Sequence, residues 1–158
     1  MHGESCFFCA QNPGFHFPGR CADRLLTTQS RTVMQDCTIR LCGTIPTLYL
    51  HRLSNCNIVA GPVAGATFCE DMQDCGLQLA THQLRLHSST NVVVHLRAAS
   101  SPIIEHCASI GFGGLTQPLY SEFEAACIAV QLPDSGHWRD VQDFQHPGST
   151  QTANWYMV

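Results

Sequence analysis

Asp36-Cys37-Thr38-Ile39-Arg40-Leu41 sets the pattern for most of this chain, because later stretches repeat it at a constant interval. Asn55-Cys56-Asn57-Ile58-Val59 follows nineteen residues on, and Asp74-Cys75-Gly76-Leu77-Gln78-Leu79 follows after nineteen more. Shorter apolar runs lie between these stretches, beginning with Leu48-Tyr49-Leu50 and Thr67-Phe68-Cys69. A self-similar unit of this length is typical of repeat proteins in which each unit stacks on the next.

Each repeat reads as short strands joined by sharp turns. Apolar and polar residues alternate within the runs, and Gly, Asn, Asp, Ser or Pro separate them, which leaves no room for ordinary helices. The pattern predicts an all-β parallel β-helix, a solenoid of about four to five short coils. Cys37, Cys56 and Cys75 are expected to form one inward column, Leu53 and Met72 another, with corners at Gly43 and Gly61. An antiparallel barrel or sandwich is the alternative.

Composition limits the possible functions of the chain. Its 158 residues suit one domain, 44% are hydrophobic and only 13% are charged. The net charge is −4, and all eight basic residues are arginine, so no basic stripe for nucleic acid is expected. No apolar run is long enough to span a membrane, and the first residues do not follow the pattern of a signal peptide.

The ten cysteines do not suggest a disulfide framework. A regular column of buried thiols behaves as a set of small apolar residues, which favours a reduced, cytoplasmic protein. Cys6 and Cys9 form one CxxC pair with His2, His16 and Cys21 in the same region, but a second ligand pair is missing. Residues 1–31 are therefore predicted to be an irregular N-terminal arm, with zinc binding there as the lesser alternative.

The periodicity stops after residue 113. Ser121 is a candidate N-cap for a short amphipathic helix in which Leu119, Phe123 and Cys127 recur every four residues. Such a helix is expected to cap the open end of the solenoid. Residues 32–146 are taken as the solenoid domain with its C-terminal cap, and residues 147–158 as a polar tail.

One repeat carries a polar row that suggests a functional site. In Gln83-Leu84-Arg85-Leu86-His87, inward leucines would place Gln83, Arg85 and His87 on the outer surface. Pro102-Ile103-Ile104-Glu105 repeats the arrangement and would place Glu105 on the neighbouring rung, roughly 4.8 Å from Arg85. An arginine held by a carboxylate is a plausible catalytic group, and an ordinary surface ion pair is the alternative.

Other titratable residues are less suggestive. His82, His87, His95 and His106 do not form a set with metal-ligand spacing, so no metal site is expected from them. Asp140 and Asp143 are expected to be solvated or capping residues rather than a catalytic acid pair.

With these motifs in place, the chain resembles the C-CAP/cofactor C-like domain family, found at the C-terminus of tubulin-binding cofactor C. The family also includes the retinitis-pigmentosa GTPase activator and, more distantly, cyclase-associated proteins. The matching segments run in family order over about residues 33–146: Leu41-Cys42-Gly43-Thr44, Asn55-Cys56, Gly61-Pro62-Val63, Glu70-Asp71, Gln83-Leu84-Arg85-Leu86-His87, Pro102-Ile103-Ile104-Glu105 with Cys107, and Trp138 with Val141, Asp143 and Phe144. The resemblance implies a right-handed parallel β-helix.

The resemblance also implies roles for individual residues. Arg85 matches the family's arginine finger, Gln83 the glutamine beside it, and Glu105 the acid that holds the finger. Phe144 matches an aromatic residue that contacts the GTPase. His82 stands where a second glutamine is usual, and it is assigned with His87 to partner contact.

The implied activity is GTPase activation in trans, without an independent active site. The expected partners are the α/β-tubulin dimer with tubulin cofactors D and E, where hydrolysis on β-tubulin releases native dimer. GTP and magnesium would belong to the partner, so no cofactor or metal is expected here, and the expected location is the cytoplasm and cytoskeleton. Alternatives are activation of an Arf-like GTPase, a non-catalytic centrosomal or ciliary adaptor, and actin-monomer binding.

Overall fold

The computed structural model describes residues 5–9, 34–148 and 152–158, and for 5–9 the backbone alone. Within these ranges the chain forms ten strands, one α-helix and one short 3-10 turn at His137–Arg139. The elements are β1 Ser5–Cys9, β2 Met34–Gln35, β3 Thr38–Ile45, β4 Leu48–Ser54, β5 Asn57–His87, β6 Thr90–Ala98, β7 Ile103–Glu105, β8 Ala108–Gly114, α1 Phe123–Ala129, β9 Gln142–Asp143 and β10 Trp155–Met157.

The described strands pair in parallel with their equivalents one coil along. Thr38 pairs with Asn57, Gln73 with Thr90 and Thr90 with Ala108, so each coil takes 17 to 19 residues. The prediction of a parallel β-helix is confirmed, with about four coils, and the antiparallel alternative is wrong. The length of each coil matters for function because it fixes which side chains become neighbours on the outer faces.

The interior is built from the predicted columns. Leu53 pairs with Met34 on one side and Met72 on the other, and Leu53 and Met72 are both almost fully buried. Cys56 and Cys75 are buried in the neighbouring column, whereas Cys37 in the first coil is half-buried. The cysteines whose side chains are described form no disulfide, in agreement with the prediction of thiols.

The corners explain why a polar residue precedes each inward cysteine. Asp36, Asn55 and Asp74 adopt left-handed backbone conformations with φ of 56°, 52° and 53°. Asn and Asp tolerate this region better than other residues with a Cβ. The Asn55 side-chain amide donates to the Asp36 carboxylate at 2.5 Å, and Asn91 donates to Asp74 at 2.6 Å in the same way. Local conformational preference and coil-to-coil hydrogen bonds therefore favour the same turn.

Gly61 marks a corner at which the backbone of the next coil lies close. Its φ is +115°, and a Cβ at this position would lie 2.5 Å from the backbone oxygen of Ala80. Gly43 also has a positive φ, of 102°. Both predicted glycine corners are confirmed.

The C-terminal helix does not lie where the sequence suggested. α1 begins at Phe123 and its N-cap residue is Glu122, so the expectation that Ser121 is the N-cap is wrong. Phe123 and Cys127 are buried, as expected for an amphipathic helix, but they pack with Val59 and Ala80 on the flank of the solenoid. The helix therefore covers outward-facing apolar residues of β5.

The last coil is instead closed by short strands. β9 pairs with β7 and β10 pairs with β8, so each adds a parallel rung to its own sheet. Trp155 on β10 is buried, which corrects the expectation that residues 147–158 are only a polar tail. At the opposite end β1 pairs with β3, so the first 31 residues are not wholly irregular. The zinc alternative concerns side chains of Cys6, Cys9, His2, His16 and Cys21, which lie outside what is described.

Candidate functional site

In the part of β5 around Arg85, inward and outward side chains alternate as predicted. Leu84 and Leu86 are almost completely buried, while Arg85 is exposed and Gln83 and His87 are half-exposed. Leucine burial fixes which face of the strand is turned outward, because neighbouring side chains point to opposite sides. Arg85 therefore projects from the outer face of the solenoid, as the sequence predicts.

Arg85 lies in a shallow groove that crosses several coils. The groove has a volume of about 340 Å³ and is lined by residues from β4, β5, β7 and the segment after β9. Its apolar part includes Tyr49 and Phe68, whose rings stack at 4.9 Å between centroids with an interplanar angle of 11°. The charged and titratable residues lining it are His51, Glu70, Arg85, His87 and Glu105, and Phe144 lies at its edge.

The guanidinium of Arg85 forms no hydrogen bond or ion pair with any other residue whose side chain the structure describes. Arg85 pairs in register with Ile103, and Glu105 pairs with His87. The expectation that Glu105 lies directly opposite Arg85 on the neighbouring strand is wrong. Arg85 and Glu105 are twenty residues apart, whereas this coil takes eighteen. Glu105 remains a diagonal neighbour within the same groove.

A row of histidines and carboxylates runs beside Arg85. His87 Nδ1 lies 3.5 Å from Glu70 Oε1, and His51 Nε2 lies 3.7 Å from Glu70 Oε2. His51 Nε2 also contacts Asp71 Oδ2 at 3.3 Å. These side chains are about half-exposed, so each pair contributes little to stability. Their effect is to place negative charge next to the positive charge of Arg85.

Two of the predicted site residues lie outside the groove. Gln83 is on the same strand as Arg85, and its backbone oxygen accepts a hydrogen bond of 3.2 Å from Thr81 Oγ1. His82 points toward the C-terminal segment, where its Nε2 lies 2.7 Å from the carbonyl oxygen of Val130. His82 therefore contacts this chain's own helical segment rather than the Arg85 groove.

Phe144 is brought to the groove by the rung formed by β9. Its backbone N–H donates to the Ile104 oxygen at 3.0 Å, and half of its surface is exposed. The preceding residue, Asp143, is buried and accepts hydrogen bonds from Thr152 Oγ1 at 2.7 Å and Asn154 Nδ2 at 2.8 Å. Asp143 is thus a structural anchor: it is buried and not solvated, and its acceptance of the Gln145 N–H at 3.0 Å agrees with the expected capping role.

The ionisation of Asp143 reflects two opposing effects. Burial by itself raises the pKa of the carboxyl group, since it penalises the charged form. Hydrogen bonds from Thr152, Asn154 and the Gln145 N–H outweigh burial, and the pKa lies below its usual value. The anchor is consequently charged at neutral pH.

Several groove residues were not predicted from the sequence. Tyr49 and Phe68 belong to repeating apolar runs and Glu70 to a segment of the family resemblance, and the sequence assigns none of them to a site, yet all three line the same groove as Arg85. The spacing of His106 in the sequence does not suggest a ligand, yet ligand atoms of His87, Glu105 and His106 all lie within 4.8 Å of one another. The signal was available in the repeat, because residues one coil apart become neighbours once the register is known.

The fold and the groove together define a parallel β-solenoid that presents an unpaired arginine on its outer face, within the described part of the chain. The family model "Tubulin binding cofactor C" matches residues 28–144. The chain belongs to this family, and the resemblance inferred from its motifs is confirmed.

Individual relatives agree with this assignment. Tubulin-folding cofactor C of Arabidopsis thaliana is 33% identical over 125 residues, which cover 79% of this chain and 36% of the relative. Tubulin-specific chaperone C of Homo sapiens is 37% identical over 114 residues, which cover 72% of this chain and 33% of the relative. The chain therefore spans about a third of the length of these curated relatives.

A solved structure supports the fold. Tubulin Binding Cofactor C from Leishmania major superposes with a TM-score of 0.64 at 23% identity, over 73% of this chain and 80% of the other. Among the residues described here, no helix has the length and apolar character needed to cross a membrane.

Proposed function

We propose that this chain is the GTPase-activating domain of a tubulin-folding cofactor and that Arg85 acts as an arginine finger on β-tubulin. Two findings support the proposal: membership of the cofactor C family, and an exposed Arg85 that forms no ion pair with the other described side chains. The second carries most weight, because an arginine that stabilised only its own fold would be paired or covered. In this proposal the protein is located in the cytoplasm and associated with the cytoskeleton.

The chemistry of GTP hydrolysis explains why such an arginine would be effective. Negative charge in the transition state is spread over the phosphate oxygens, and a guanidinium offers a planar fork of donors to them. An arginine supplied by a partner accelerates hydrolysis by about 10³–10⁵-fold. The nucleotide and magnesium would be held by the GTPase, so this mechanism requires no cofactor of this chain.

The neighbouring residues take supporting roles in this proposal. Glu105 would orient Arg85 electrostatically from its diagonal position, and Phe144 would contact the GTPase at the edge of the groove. Gln83, on the same strand, would reach the nucleotide site once the surfaces meet. His87 would contact the partner from within the groove, whereas His82 would act indirectly through the Val130 segment that it contacts.

A single-turnover GTPase assay tests the proposal. Tubulin with cofactors D and E is mixed with wild-type chain, Arg85→Ala, or Arg52→Ala as the matched control. Arg52 is a half-exposed arginine of β4 whose Nε lies 3.8 Å from Asp71 Oδ2, and it does not line the groove. Arg85→Ala is expected to lose most of the stimulation and Arg52→Ala to retain it. Equal stimulation by wild type and Arg85→Ala would refute the finger role.

The same assay separates the alternatives for the partner. An Arf-like GTPase replaces tubulin in a parallel reaction, and stimulation there alone would reassign the partner. A non-catalytic adaptor role has one observation in its favour, since Tyr49 and Phe144 are more than half exposed beside Arg85. Tight binding of tubulin without any Arg85-dependent hydrolysis would favour the adaptor.

A further inference from the structure

We propose that His87, Glu105 and His106 form a binding site for a divalent transition-metal ion such as Zn²⁺. One ligand atom from each of the three side chains lies within 4.8 Å of the other two. Two imidazoles and one carboxylate are a ligand set used by zinc in proteins, with a fourth position left for water. The inference does not depend on the GTPase-activating role, although it uses His87 and Glu105, which also line the Arg85 groove.

The solenoid register brings these residues together. His87 and Glu105 are direct partners across adjacent coils, although eighteen residues separate them in the chain. His106 follows Glu105 and would point to the opposite side in a regular strand. Its backbone is left-handed, with φ of 53°, and this turn allows the imidazole to reach the side occupied by Glu105.

The ligand atoms lie within 4.8 Å of one another, so coordination of one ion would require each pair to approach by at most about 1.5 Å. The His87 and His106 rings stack with centroids 5.3 Å apart at an angle of 28°. Zinc ligands at about 2.0–2.2 Å from the ion lie roughly 3.3–3.6 Å from one another in a tetrahedron. Glu105 and His87 are half-exposed and His106 is exposed, so rotation of these side chains meets little packing resistance.

Neighbouring groups orient His87 for coordination. Its Nδ1 lies 3.0 Å from Ser88 Oγ and 3.5 Å from Glu70 Oε1. A carboxylate beside one imidazole nitrogen commonly fixes the ring so that the other nitrogen binds the metal. Nε2 of His87 has no hydrogen bond to another described residue, and it is therefore the atom left to coordinate.

Charge and ligand type indicate the class of ion. The carboxylates of Glu70 and Glu105 offset the positive charge of Arg85 in the same groove. Imidazole ligands favour zinc, copper and nickel, whereas magnesium and calcium prefer oxygen ligands. The site should accordingly bind divalent transition-metal ions such as Zn²⁺ and Co²⁺ and not respond to Mg²⁺.

Titration calorimetry of the chelator-treated, reduced chain with Zn²⁺ measures the site directly. His106→Asn and Glu105→Gln should each remove one bound equivalent or weaken it by more than about tenfold, since a ligand is lost. Asn suits the left-handed backbone at position 106, so that variant should fold. His51→Gln is the matched control, because His51 lines the groove but lies outside the triad.

Co²⁺ absorption distinguishes this site from the chain's cysteines. A site of imidazole and carboxylate ligands gives visible d–d bands without sulfur-to-cobalt charge transfer, and His106→Asn should abolish those bands. The proposal would be overturned if the wild-type chain binds no zinc, or if zinc binding is unchanged in both His106→Asn and Glu105→Gln. A cobalt spectrum that shows only sulfur-to-cobalt charge transfer would also overturn it.

Discussion

At the scale of single residues, the function proposed for the groove depends on the guanidinium of Arg85. Arg85 and a lysine at the same place would carry the same charge, but only a guanidinium presents several donors in one plane. The sequence predicted that Arg85 faces outward, because flanking leucines had to face inward. It did not predict the register with Ile103, since the alternation of one strand says nothing about which rung its neighbour occupies.

Arg85→Lys is expected to lose nearly as much GTPase stimulation as Arg85→Ala. Charge alone would attract the phosphate but would not match the geometry of the transition state. Single-turnover rates at saturating chain concentration measure this, with binding to the partner determined separately. A lysine variant with wild-type rate would show that charge is sufficient and that the fork geometry is irrelevant.

Gly61→Ala is expected to lower the free energy of unfolding by more than about 2 kcal/mol, because it adds backbone strain and a collision with Ala80. Gly148→Ala is the matched control. Gly148 also has a positive φ, of +85°, but a methyl group added there would meet no atom of the described residues within 4 Å beyond its chain neighbours. Urea unfolding of both variants separates strain from collision. Equal losses would mean that the close approach of the coils costs nothing.

At the scale of elements, the segments after the repeat are held by a few polar contacts. Arg97 on β6 donates to both carboxylate oxygens of Glu124 on α1, at 2.9 and 2.8 Å, and to the Leu132 oxygen at 3.2 Å. The sequence predicted a helix from its apolar spacing but placed it at the end of the stack. Only the outward positions of Val59 and Ala80 reveal the flank on which it docks.

Arg97→Ala should loosen α1 while leaving the solenoid core folded. Loss of the paired contact and the carbonyl contact is expected to cost about 1–3 kcal/mol, because Arg97 is largely buried although Glu124 is exposed. Hydrogen exchange should accelerate at the amides of α1 and remain slow in β5 and β6. Uniform acceleration across the coils would indicate that the helix is essential to the whole domain.

The stability of the chain should decrease in acid through Asp143 on β9, the strand that precedes Phe144. The pKa of Asp143 is lowered in the folded chain, so its contribution to stability is present above the pKa of about 3.9 expected when unfolded. That contribution is lost as pH falls through the folded-state value. Urea unfolding should show that the free energy of unfolding falls between pH 7 and pH values below 4, and that it falls less in Asp143→Asn than in the wild-type chain. An identical fall in the two proteins would exclude Asp143 as its source.

At the scale of the whole molecule, the reactivity of the buried cysteines depends on whether the coils are stacked. Burial raises the pKa of Cys56, Cys75 and Cys107, and each also lies near a backbone carbonyl oxygen that accepts its S–H. A thiolate is the reactive form, so these residues should be unreactive while the coils are stacked.

Thiol labelling followed by peptide mass spectrometry measures this protection. The peptides containing Cys56, Cys75 and Cys107 should remain unlabelled at neutral pH in the native chain and become labelled together in denaturant. Cys42, which is half-buried, serves as an internal comparison. Rapid labelling of Cys75 in the native chain would contradict a closed core.

The sequence by itself determined the repeat, the parallel solenoid and the outward position of Arg85. Each follows from short-range rules of alternation, turn preference and burial that act within a single coil. Tertiary structure alone decided that His87 faces Glu105, that Phe68 and Phe144 border the groove, and that α1 lies on the flank. Coil lengths of 17, 18 and 19 residues shift the alignment of successive rungs, so these neighbours are set by where the coils stack and not by spacing along the chain.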